Sequence, residues 1–235
     1  MKRGAAKIYS LGENALTVSF GDEISLATNE RVLNLASRFE RENHFKGFVE
    51  IVPTYTSLTI FYDVPTVRKN FPEFATAFDA VKNFAETALR QTVETVENKQ
   101  RRLIEISVDF SSEFAPDLEF IATEKNLSAE VVIEIFTART YRVFMLGFLP
   151  GFAYMGEVDE RISVPRKQNP RELVPQGSVG IAGRQTGIYS LASPGGWQII
   201  GRTDARLFTP ELDVPTFLQA GDEVKFSRAT KFRRM

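Results

Sequence analysis

The chain has 235 residues, 43% hydrophobic and 25% charged, with a net charge of −1. That composition is globular rather than disordered, and its near-neutral charge supplies no field that favours nucleic acid or an anionic membrane surface. The absence of cysteine and the single histidine, His44, exclude disulfides, thiolate nucleophiles and cysteine-ligated metals, and argue against an all-protein zinc site or a Ser-His-Asp triad.

The N-terminal MKRGAAKIYSLGENALTVSF has no uninterrupted apolar core, so it does not read as a signal peptide. No run approaches the roughly 20 apolar residues needed to span a bilayer. The expectation is a soluble cytoplasmic protein. Lys7–Ser10 and Ala15–Phe20 are short β-like runs separated by the turn signal LGEN. Ser25 to Glu42 has Leu26, Val32, Leu33, Leu35, Ala36 and Phe39 near helical spacing. His44, with Gly47 as a breaker, fits the end of that helix. Phe48–Val52 and Leu58–Tyr62 read as strands interrupted at Pro53, and Phe74–Val96 as a second long helix. The charged run ENKQRR at 97–102 is the best domain boundary.

Beyond it, Leu103–Phe110 reads as a strand, Ala115–Lys125 as a short helix, and Ser128–Phe136 as another helix with Ser128 as its N-cap. A Gly-Asp turn leads into a final strand at Glu223–Ser227. The tail KFRRM reads as a solvated terminus.

The densest signal lies between Tyr141 and Thr203, which holds ten of the fifteen glycines and five of the eleven prolines. Such a segment reads as strands joined by shaped loops, where binding residues concentrate. From Arg161 to Thr203 there are six basic side chains, Arg161, Arg166, Lys167, Arg171, Arg184 and Arg202, against one acid, Glu172. The functional reading is an anion site built from guanidinium forks and glycine-turn N–H groups; the alternative is a set of ordinary surface arginines that keep the strands soluble or pair with acids of the first domain. In GFLPGFAYMG, Phe148 reads as a core residue beside a tight turn. Phe152 and Tyr154 fit either a core or a pocket wall, and Trp197, after Gly195 and Gly196, either anchors the turn or caps a pocket. No phosphate-binding glycine loop and no dinucleotide fingerprint is present.

LGFLPGFAYMG, VPRKQNPRELVPQGSVGIAG, QTGIY and SPGGWQIIGRT, with SFGDEI, VEIVPTYTSLTIFYD and EFAPDLEFIATEKNLS earlier in the chain, resemble the allophanate hydrolase subunit 1 family, which includes the B-type component of 5-oxoprolinase and a sporulation-kinase inhibitor. The resemblance implies an α+β protein: a small α/β N-terminal domain at about 1–98 and a cyclophilin-like β-barrel at about 103–228. It implies a component of an ATP-dependent amide-ring hydrolase complex, most readily 5-oxoprolinase, which opens 5-oxoproline to glutamate. The partners would be a carboxyltransferase-like subunit, of the allophanate hydrolase subunit 2 type, and a lactam-utilisation-type subunit. ATP would be used by the complex rather than by this chain alone. The alternatives are a regulatory protein that inhibits a sensor histidine kinase and an allophanate or urea carboxylase-type subunit.

On this reading Arg166, Arg171 and Arg202 hold an anionic substrate or phosphorylated intermediate. Gln185, Thr186 and Tyr189 supply neutral hydrogen bonds, and the Gly195–Gly196 N–H groups stabilise an oxyanion. Phe152, Tyr154 and Trp197 form the pocket wall. No general base stands out, which suits a site shared between subunits. One departure is Phe136, where the family usually carries His.

Overall fold

Apolar side chains on one face of the early strands draw two amphipathic helices onto them. In chain order the first unit, Met1–Gln100, runs β1 (Lys7–Ser10), β2 (Ala15–Ser19), α1 (Leu26–Arg41), β3 (Phe48–Pro53), β4 (Ser57–Tyr62), α2 (Val64–Asn70) and α3 (Ala77–Thr92). The strands form an antiparallel sheet in the order β1-β2-β4-β3. Leu16, Val18, Leu58 and Ile60 of the central strands pack with Val32 and Leu35 of α1 and Val81 and Ala85 of α3. Pro53 closes β3 rather than standing outside it; β3 is an edge strand, where a missing N–H costs no ladder bond. Helix α2 was not anticipated. Its signal is Asp63, whose carboxylate accepts the Thr66 N–H at 2.9 Å, with Pro65 in the first turn.

The second unit, Arg101–Met235, contains β5 (Leu103–Val108), α4 (Leu118–Glu124), α5 (Ala129–Ala138), β6 (Thr140–Leu146), β7 (Ala153–Gly156), β8 (Arg171–Val174), β9 (Ser178–Ala182), β10 (Gln185–Ile188), β11 (Ser193–Gly195), β12 (Gln198–Arg202) and β13 (Glu223–Arg228). Ser128 caps α5, accepting the Val131 N–H at 3.3 Å. Seven strands form one sheet in the order β12-β9-β10-β7-β6-β13-β5, while β8 and β11 pair separately. All neighbours in the large sheet are antiparallel except β13 and β5, which run parallel.

The two edges of this sheet meet. Asp109, just after β5, and Arg202, at the end of β12, exchange backbone hydrogen bonds of 2.8 and 3.0 Å, so the sheet is a nearly closed barrel. Gly201 permits that approach: a Cβ there would lie 2.5 Å from Val108 Cγ1 and 2.9 Å from the Asp109 carbonyl. The barrel interior holds Ile106, Val108, Val143, Met155, Val179, Ile181, Ile200 and Phe226, closed by Leu118, Ile121, Val132 and Phe136 from the helices. Phe136 is fully buried, its ring 4.9 Å from Phe226 and 5.1 Å from Tyr141. Its position is one of packing.

The computed structural model describes residues 6–41, 45–92 and 101–229; His44, 93–96 at the end of the expected second helix, the charged run at 97–100 and the tail at 231–235 lie outside them. Among the described residues no helix is long and apolar enough to cross a membrane.

Candidate functional site at the barrel seam

Beside the seam, one carboxylate pairs with the edge of β12. Asp117 occupies the N-cap position of α4, yet its side chain makes no cap hydrogen bond. Its backbone N–H donates to the Ile199 carbonyl at 3.0 Å and its Oδ2 accepts the Ile199 N–H at 2.6 Å, so it satisfies the free edge of β12 as a strand neighbour would. Oδ1 accepts from Arg171 Nη2 at 2.7 Å and from Lys167 Nζ at 3.2 Å. Asp117 is buried, with Arg171 and Lys167 half-buried around it. Burial pushes the Asp117 carboxyl up, but hydrogen bonds from Arg171, Ile199 and Lys167, with the Arg171 charge, outweigh it and hold the group below its ordinary value.

The same seam gathers the glycine turn. Arg171 is in register with Gly195 across the β8–β11 pair, and the Lys167 N–H donates to the Gly196 carbonyl at 2.7 Å. Gly195 lies flat on Tyr189: a Cβ there would be 2.8 Å from the ring and closer still to the hydroxyl. One nitrogen in this cluster, Arg171 Nη1, is buried and has no hydrogen-bond partner among the described residues. An orphaned buried donor on a charged group is costly, by about 1–3 kcal/mol or more.

The structure distributes the remaining site residues differently. Arg161 pairs with Asp159, and Arg184 with Glu157 and Glu160. Arg202 donates through Nε to the Gln176 carbonyl at 2.9 Å and lies 5.6 Å over the Phe114 ring. Arg166 is exposed, makes no ion pair among the described residues, and sits 5.8 Å over the Trp197 ring. Thr186 is fully buried with its hydroxyl donated to the Gly180 carbonyl, and Gln185 is half-buried at the start of β10.

Phe152, Tyr189 and Trp197 form a closed aromatic cluster with Val174, Ala182 and Ile199, and Tyr154 packs against it. Phe152 and Trp197 are 1% and 4% exposed, so they lie within that cluster rather than on an open surface. Phe148, expected in the core, is instead 59% exposed with a left-handed φ of 68°, its ring edge-on to Phe152 and Tyr189. The turn that holds Gly147 and Gly151 turns this ring outward.

Asp117 and Lys167 are the residues that sequence reasoning passed over. Lys167 was visible only as one of six charges. Asp117 looks like an ordinary helix cap, and nothing local announces a partner 54 residues away at Arg171 or 82 away at Ile199.

The sequence profile of the family "Carboxyltransferase domain, subdomain C and D" matches residues 6–218. The chain is 45% identical to the B-type component of 5-oxoprolinase from Bacillus subtilis over 226 residues, covering 96% of this chain and 93% of that protein. Among solved structures, that of TTHA0988 superposes with a TM-score of 0.78 at 31% identity, covering 94% of this chain but only 41% of that one. The Kluyveromyces lactis urea carboxylase shares the fold, with a TM-score of 0.74 at 19% identity, and this chain spans 23% of it.

Proposed function

Because the chain belongs to the carboxyltransferase-domain family of subdomains C and D, we propose that it is the B-type component of a 5-oxoprolinase, a complex that opens 5-oxoproline to glutamate with hydrolysis of ATP. The near full-length identity to a protein of that name carries the reading. The same premise proposes that the second unit is a cyclophilin-like barrel forming a domain of its own. It also proposes a carboxyltransferase-like and a lactam-utilisation-type partner in the cytoplasm. ATP enters as a co-substrate of the complex.

In this reading the seam is the substrate-facing part of the chain. Arg171 Nη1 is a buried donor without an acceptor among the described residues, and a substrate oxygen would complete it. Lys167 and Arg171 supply positive charge, and the exposed Arg166 extends that charge toward solvent. Gly195 and Gly196 stand beside them, and their N–H groups would serve an oxygen that gains charge as the ring amide is attacked.

Co-expression with both partner types, followed by ATP-dependent glutamate release from 5-oxoproline, tests the assignment. A soluble, associated complex without that activity refutes it. Arg166→Ala is expected to lower the rate about tenfold or more while the fold is retained, from about 1.5–3 kcal/mol per charge-assisted bond. Full activity in that variant would leave Arg166 an ordinary surface arginine.

A further inference from the structure

The seam cluster contains two cations, Lys167 and Arg171, and one carboxylate, Asp117, which both contact through the same oxygen. Its balance is a single positive charge. Arg171 Nη2 is engaged by Asp117, whereas Nη1 is buried with no acceptor among the described residues. The cluster is thus short of one oxygen and one negative charge. Of the neighbouring charges, Arg166 and Glu172 are both exposed, where water screens them. We infer that this cluster is a monoanion site, which takes one carboxylate group and selects against a doubly charged phosphate.

The site rests on the reading that the seam faces substrate, and its charge decides which group the seam holds. A carboxylate offers Arg171 Nη1 an oxygen and neutralises the cluster. A phosphate dianion brings a second charge that must leave water with only the exposed, water-screened Arg166 to meet it, and a poorly compensated charge in a buried setting is disfavoured. Lys167, 30% exposed on a flexible four-carbon stem, is the movable member that swings toward the incoming group. Arg171, tied to Asp117 and held in register with Gly195, is the fixed one. Asp117 acts through both cations and is a positioning residue: it sets their charge to one and their spacing to a single oxygen.

Calorimetric titration of the full chain with 5-oxoproline and with inorganic phosphate, at constant ionic strength and a pH where phosphate is mainly dianionic, tests this. The carboxylate is expected to bind at least about tenfold more tightly, a difference of about 1.4 kcal/mol. Lys167→Met brings the cluster to neutrality and is expected to weaken 5-oxoproline binding about tenfold or more. Asp117→Asn raises the balance to two positive charges and is expected to invert the preference toward phosphate, a change that lost packing alone does not produce. If Asp117→Asn does not fold, Lys167→Met decides. Equal binding of both anions, absence of carboxylate binding, or unchanged binding by Lys167→Met overturns the inference. Carboxylate selectivity in a chain whose reconstituted complex lacks ring-opening activity would refute the assigned reaction and leave the site standing; an active complex without selectivity would do the reverse.

Discussion

Gly201→Ala tests how tightly the barrel is closed. The new Cβ would lie 2.5 Å from Val108 Cγ1, 2.9 Å from the Asp109 carbonyl and 3.2 Å from Phe110 Cδ1. Val108 is fully buried, and the Asp109 carbonyl is held by the Arg202 N–H, so neither can yield without opening the seam. Overpacking of this kind costs about 1–3 kcal/mol. A central value of about 2 kcal/mol lowers the unfolding midpoint of a unit this size by roughly 6–10 °C. The same loss accelerates exchange of the Asp109 and Arg202 amides about thirtyfold if they exchange through seam opening. Thermal unfolding and amide exchange followed by NMR measure both. Val108→Ala in the same chain removes the closest methyl and is expected to recover about 1 kcal/mol as a coupling between the two sites. An unchanged midpoint with undisturbed exchange at the two amides would show that the seam is looser than the contacts imply.

Three further outcomes follow from the same contacts. Asp117 has its carboxyl lowered in the folded state, so its contribution is fully present above the ordinary carboxylate range and is lost as pH falls through the folded value; denaturant unfolding should show a decline beginning near pH 4 that Asp117→Ala, if folded, lacks. Arg171→Met leaves Asp117 with Lys167 and the Ile199 N–H alone, and is expected to destabilise the chain by about 2–4 kcal/mol in guanidinium unfolding. Phe136→His places a titratable ring in the aromatic core; burial would depress its pKa, so the variant should lose stability relative to the parent as pH drops below about 6.5, and a flat pH profile would contradict the packing described for Phe136.

Much of the fold was legible because it rests on local patterns. Lys7–Ser10 forms the strand its alternation suggests, and α1 follows its apolar spacing with Ser25 accepting the Thr28 N–H. Helix α2 was missed, because it is short and has little apolar periodicity, although Asp63 and Pro65 are a start signal for it. What the sequence could not convey is pairing at a distance. The charge count between Arg161 and Thr203 suggested an open cationic face. In the folded chain Arg161 and Arg184 meet acids, and Lys167 and Arg171 share Asp117. Phe148 shows the other limit: its hydrophobicity points inward, while a left-handed turn between two glycines sends it outward.

The parallel pairing of β5 with β13 fixes where a polypeptide can enter and leave the second unit. Leu103 lies beside Glu223 and Val108 beside Arg228, so the first strand starts at one end of the barrel and the last strand finishes at the other. The two points are separated by the length of a six-residue strand, about 20 Å. The barrel is therefore threaded by its chain rather than hung from it. A circular permutant of the second unit by itself would need a linker long enough to run the height of a six-residue strand.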